Sequence, residues 1–203
     1  QFESGVNGNS EGSRAFQKFS PSGTVSGALG HNLPTKEVYG LFADNDKRKS
    51  AYFIVTKNGV IGTGKLKQTS ATVADGGSNI IVLRYADVLL MLAECYAEKD
   101  DVSKSNEYLN LIKKRAGIEE VSIGDATLIK EEIALERRKE LVNEGHRWFD
   151  LIRTGKAVEV MNAYFTRTPG YTGITISELN YVQPIPQGQI DTDSATKQNE
   201  GYN

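Results

Sequence analysis

From residue 82 onward, apolar side chains return at every third or fourth position. Val82, Ala86, Leu89, Leu90, Ala93 and Ala97 form one stripe, and beyond the polar break at Asp100 and Asp101 a second stripe contains Tyr108, Leu109 and Ile112. This period predicts two antiparallel helices. Ser103 is placed to cap the second, and Gly117 follows its basic end, Lys113, Lys114 and Arg115, where cations suit the carbonyl end of the helix dipole. A third helix is expected after Asp125, its N-cap, through Ile129, Ile133, Leu141 and Val142 to about Glu144, with Gly145 interrupting it. A short amphipathic segment over 147–154 and a helix over about 156–164 follow. The tail, with Pro184 and Pro186, reads as extended chain.

Before residue 80 the helical period is missing. Twelve of the 20 glycines lie there, with turn-prone clusters such as Pro21, Ser22 and Gly23. The run 51–56 is β-prone, and Asn58-Gly59 suits the positive φ of a tight hairpin turn. The chain therefore divides into a loop-rich region with short strands, 1–79, and a helical region, 80–203. The fold class is mainly α. The first helical pair has the length of a tetratricopeptide unit, with the small Ala93 and Ala97 permitting close contact. One such unit cannot bury its own faces, so neighbouring helices are required.

Composition narrows the chemistry. With 203 residues the chain can bury a sizeable core, and a net charge of −2 leaves no basic surplus for gripping phosphates. Nucleic acid is excluded as a partner. No stretch approaches the length of a membrane-spanning helix. Residues 59–65 spell Gly-x-x-x-x-Gly-Lys, yet Leu66 stands where a nucleotide loop needs Ser or Thr. Asp44, Asn45 and Asp46 could open a calcium loop, but Lys49 occupies the position that requires glycine. His31 and His146 are far apart, and Cys95 has no partner cysteine and is expected to be a small buried residue. No metal or cofactor is expected.

Glu136, Glu140, Glu144 and Asp150 alternate with Arg137, Arg138, Arg147 and Arg153. At spacings of three residues, Arg137 can pair with Glu140, Glu144 with Arg147, and Asp150 with Arg153. A carboxylate held by guanidinium has a lowered pKa, which is wrong for a general acid, so structural pairing outweighs a glycosidase-like pair. Trp148, beside Phe149, Leu151 and Ile152, reads as core packing in preference to sugar stacking. No nucleophile motif stands out, and the chain is not expected to be an enzyme. Carbohydrate binding needs aromatic faces beside hydrogen-bonding groups. These occur together in the loop-rich half, at Phe16, Phe19, His31, Asn32, Tyr39, Phe42 and Tyr52, which form the candidate ligand-binding set.

Several stretches in order resemble the C-terminal region of the SusD/RagB family of outer-membrane nutrient-binding lipoproteins. They are the run from Leu83-Arg84-Tyr85-Ala86-Asp87 to Glu94, the helix end Ile112-Lys113-Lys114-Arg115-Ala116-Gly117, the stretch from Glu136-Arg137-Arg138 through Gly145-His146-Arg147-Trp148-Phe149-Asp150 to Arg153, and Pro184-Ile185-Pro186 followed by Gln198-Asn199. Pro34, Thr35, Lys36, Glu37 and Val38, with Asp46, Lys47 and Arg48, extend the likeness upstream. The resemblance implies a fragment of a larger SusD-like fold, whose lipid anchor and N-terminal helical half lie outside this chain. It further implies non-catalytic capture of oligosaccharides at the cell surface and delivery to a SusC-like, TonB-dependent transporter in the outer membrane. The other reading of the helical pair is a tetratricopeptide-like scaffold that binds a protein or peptide.

Overall fold

The computed structural model describes residues 12–66, 73–77 and 79–202. These form two compact units, dividing between Gly145 and His146. Among the described residues the architecture is mainly helical, with one two-stranded sheet.

In the first unit, α1 (Ala15–Phe19), α2 (Lys36–Gly40) and α3 (Lys47–Tyr52) precede β1 (Phe53–Val55) and β2 (Ile61–Thr63). The strands pair antiparallel, with Phe53 opposite Thr63 and Val55 opposite Ile61, and Asn58-Gly59 lies in the connecting turn. The β-prone run is thus shorter than the sequence indicated. Ala51 and Tyr52 close α3 instead, because Asp46 accepts a hydrogen bond from the Arg48 N–H and starts a helix there.

Helices α4 (Tyr85–Glu98), α5 (Val102–Ala116) and α6 (Ala126–Glu140) enclose the main apolar core of Leu89, Leu90, Ala93, Ala97, Leu109, Ile112, Ile129 and Ile133. Ala93 and Ala97 bring α5 close enough for the Ser105 hydroxyl to donate to the Ala93 carbonyl at 2.8 Å. The returning loop is clamped by amide side chains, Asn106 exchanging hydrogen bonds with Ile123 and Asn110 with Val121. Gly117, at φ 74°, ends α5 in the left-handed conformation, and Asp125 caps α6 through the Thr127 and Leu128 N–H groups.

Four details depart from expectation. Asp101, not Ser103, caps α5, accepting from the Lys104 N–H. Val82 lies before α4 and is exposed. Cys95 is also exposed, since the buried stripe of α4 runs along the small residues on the opposite side. Helix α6 stops at Glu140, and the chain turns through Asn143 and Gly145, both at positive φ.

The second unit contains α7 (Arg147–Arg153), α8 (Ala157–Arg167), a 3-10 turn (Glu178–Tyr181) and α9 (Gln187–Thr192). The tail is accordingly not extended throughout. It folds back so that the Gln198 amide bridges both backbone groups of Ile185. Trp148 packs edge-on to Tyr181, ring centres 6.1 Å apart.

Candidate functional site

The hairpin and α2 enclose a second core of Phe42, Phe53 and Ile61, beneath which lies a knot of buried charge. Arg48, from α3, binds Asp46, Glu136 and Glu140. Glu140 also receives Arg84 at 2.9 Å, Arg115 at 2.5 Å and the Tyr52 hydroxyl at 3.1 Å. Glu144 binds Lys65 and Arg84, while Arg137 pairs with Asp87. Burial alone would raise the pKa of Glu140, but the Arg115, Arg84 and Arg48 guanidiniums outweigh it and hold the carboxyl below its ordinary value. These carboxylates are structural, as expected, but most of the pairing is not local. Of the three pairs foreseen at a spacing of three residues, Asp150 and Arg153 are found together, at 2.8 Å. A buried Glu140 under three guanidiniums can neither reach a substrate nor hold a proton for donation.

Above this knot an open groove of about 560 Å³ is lined by Tyr39 of α2, the loop residues Asp44, Asn45 and Asp46, Lys47, Lys49 and Ser50 of α3, and Phe53 and Val55 of β1. Thr35 caps α2 and Asp46 caps α3, so both groove-lining helices start at fixed points. Tyr39 stands edge-on to Phe53 at 5.3 Å, with the Lys49 ammonium 5.0 Å from the centre of its ring. Lys49 also hydrogen-bonds Asp44, and this bond and its charge lower the pKa of Asp44. An aromatic ring with an amide, a hydroxyl, ammonium groups and a carboxylate around it can hydrogen-bond a polyhydroxylated ligand. Among the described residues, no group of three or more His, Cys, Asp or Glu is placed to hold a metal.

The sequence-predicted residues fall into two groups. Phe16 and Phe19 are half-buried on α1, and His31 and Asn32 are exposed on a loop whose N–H groups donate to the Lys18 carbonyl of that helix. Tyr39, Phe42 and Tyr52 gather in the second core. Of these, Tyr39 faces the groove. Phe42 is only 2% exposed, its ring approached by Arg48, Lys139, Tyr52 and Phe53, so it has no face for a ligand. Tyr52 is half-buried, its hydroxyl held by Glu140 and its ring covered by the Lys65 ammonium at 3.9 Å. The groove's Asn45, Lys49 and Ser50 were missed, because 44–49 was weighed as a calcium loop and 46–48 as part of the family likeness, and Ser50 was not weighed as a ligand contact.

The chain matches the SusD family model over residues 12–202. Among curated proteins, SusD-like protein P25 of Formosa agariphila is 27% identical over 195 residues, covering 90% of this chain and 36% of the relative. SusD-like protein P38 of the same organism is 40% identical over 93 residues, 18% of its length. A SusD superfamily protein from Parabacteroides distasonis shares the fold with TM-score 0.79 at 24% identity, over 100% of this chain and 49% of that one. Surface glycan-binding protein A from Bacteroides thetaiotaomicron, solved in complex with laminarihexaose, aligns with TM-score 0.68 at 27% identity over 93% of this chain and 46% of its own. The chain thus spans about half or less of the relatives it matches. Matched almost from end to end, it belongs to the SusD family.

Proposed function

We propose that this chain is part of a surface protein that captures oligosaccharides without cleaving them and hands them to a SusC-like, TonB-dependent transporter. The observation that carries the reading is the likeness, over 93% of the chain, to a surface glycan-binding protein solved with laminarihexaose. The groove at Tyr39 supports it, combining an aromatic ring with hydrogen-bonding side chains. A lipid anchor outside this chain would hold the parent to the outer membrane; no helix among the described residues is long and apolar enough to cross one.

The parent's other half has a natural seat. Residues 80–83 and then Tyr85, Val88 and Met91 of α4 form an apolar strip, with Leu83 77% and Tyr85 74% exposed. Such a strip costs free energy in water and calls for a cover. A SusD superfamily relative is about twice as long as this chain, which leaves room for helices that would supply it. The rival reading, a tetratricopeptide-like scaffold for a protein partner, draws on the same strip.

Affinity electrophoresis tests the choice. The parent and this chain are run through gels containing a panel of soluble polysaccharides, laminarin among them, with released sugar assayed. Retardation of the parent without sugar release supports capture, and its reduction by Tyr39→Ala or Asn45→Ala places the groove in the contact. Sugar release, or free migration on every gel, overturns the reading, and free migration favours the protein-binding scaffold.

A further inference from the structure

Residues 164–171 of the second unit carry a ring cluster that the first-half candidates do not include. Helix α8 delivers Tyr164 and Phe165, and the chain then reverses through turns in which Tyr171 N–H donates to the Thr168 carbonyl and Ile174 N–H to that of Tyr171. Gly170 and Gly173 take the positive φ these reversals need. The return is pinned by the Asn162 amide, which bonds both the N–H and the carbonyl of Ile176 at 2.8 and 3.0 Å. Tyr171 is thereby laid over Phe165, ring centres 5.5 Å apart and planes 16° from parallel. Tyr164 stands 5.9 Å from Tyr171 at 55°, and the Arg167 guanidinium lies over the Tyr164 ring.

The rings are ordered but not interior. Among the described residues of this unit the buried ones are Leu151 and Ala157, whereas Tyr164 and Phe165 are half-buried and Tyr171 is 42% exposed. Here, aromatic area is held rigidly at the surface beside phenolic hydroxyls and a guanidinium. Such a preformed surface loses little conformational entropy when it meets a ligand. Stacked rings take the C–H face of a pyranose, and the adjacent donors take its hydroxyls.

We propose that Tyr164, Phe165 and Tyr171 form a second glycan-contacting platform, separate from the Tyr39 groove, which grips pyranose rings of the oligosaccharide by stacking. This inference rests on the glycan-capture reading above. Its recognition chemistry is that of a ring with an unbroken C–H face, and Arg167 supplies a hydrogen bond to a ring hydroxyl.

The test uses the parent protein on whichever polysaccharide of the panel retards it most. Tyr171→Ala should weaken retardation about two- to tenfold, the worth of one aromatic contact, and Tyr171→Phe should retain most of it. Unchanged retardation in Tyr171→Ala overturns the platform while leaving the capture reading intact. Failure of the unsubstituted parent to be retarded on any gel overturns both. A readout independent of folding comes from nitration of the unsubstituted protein by tetranitromethane. Saturating glycan should slow modification of Tyr171, read by peptide mass, and an unaltered rate overturns the proposal even if the variants misfold.

Discussion

Helix α6 buries two different interiors along its own length. Its first half sends Ile129 and Ile133 into the apolar core shared with α4 and α5, and its last turns send Glu136, Arg137, Lys139 and Glu140 into the charged knot beneath the hairpin. The apolar half is non-directional: any side chain of about the right volume in those positions buries the same area. The charged half is directional. Arg48, Arg84 and Arg115 reach Glu140 from three separate segments, so the knot fixes where α3, the start of α4 and the end of α5 must sit. Buried ion pairs are weak sources of net stability but costly to break singly, because the remaining charges lose their partners. The groove at Tyr39 sits on α3, and its shape thus depends on the charged half more than on the apolar one.

The sharpest way to break this comparison is to remove the hub. Glu140→Ala leaves three guanidiniums short of a carboxylate and should lower unfolding free energy by about 3–5 kcal/mol in urea titration. Leu109→Ala, at a fully buried position of the apolar core, should cost about 2–5 kcal/mol through lost transfer energy and a cavity. The two variants differ in what they do to the groove. Loss of Glu140 should weaken glycan retardation in protein that is still folded, whereas loss of Leu109 should leave retardation of the folded fraction unchanged. Equal effects on retardation would show that the knot has no special role in placing α3.

Acid separates the halves with a smaller effect. The pKa of Glu140 is lowered in the folded protein from an ordinary 4.5, so its stabilisation is present above that value and is lost as pH falls through the lower, folded one. Wild type should therefore lead Glu140→Gln most clearly above about pH 4.5, and its lead should shrink on acidification. The difference between wild type and Leu109→Ala carries no such titration. A gap between wild type and Glu140→Gln that stays constant from pH 6 to 3 would contradict the assignment of Glu140 as the ionised hub.

The same contrast explains what was legible beforehand. The stripes of Ala86, Leu89, Leu90, Ala93 and Ala97 and of Leu109 and Ile112 repeat within a helix, so the apolar core and the three helices around it could be read from spacing. The hairpin could be read from Asn58-Gly59. The knot could not. Arg48 is 92 residues from Glu140 and Arg84 is 56, and local spacing paired Glu140 with Arg137, which goes to Asp87 instead. The site was partly legible for a related reason. Residue type identifies an aromatic ring but not whether its faces are already taken. Tyr39 was chosen with Phe42, yet one lines the groove and the other is sealed among charged side chains and rings. The second-unit rings were passed over because Phe165 and Tyr171 meet only after a turn that no period reveals.

The smallest effect bears on the apolar half and on how its helices begin. Sequence spacing nominated Ser103 as the cap of α5, but the Lys104 N–H donates to the Asp101 carboxylate at 3.1 Å, and Ser103 lies within the first turn, exposed. An aspartate at this position satisfies an otherwise unpaired N–H and places negative charge at the positive end of the helix dipole. Asp101→Ala should accordingly cost about 1 kcal/mol, and Ser103→Ala, an exposed change to the best helix former, should stay within about 0.5 kcal/mol of wild type. Urea midpoints of the two variants decide it. The reverse order would return the cap to Ser103 and move the start of α5, and with it the register that sets Ser105 against the Ala93 carbonyl.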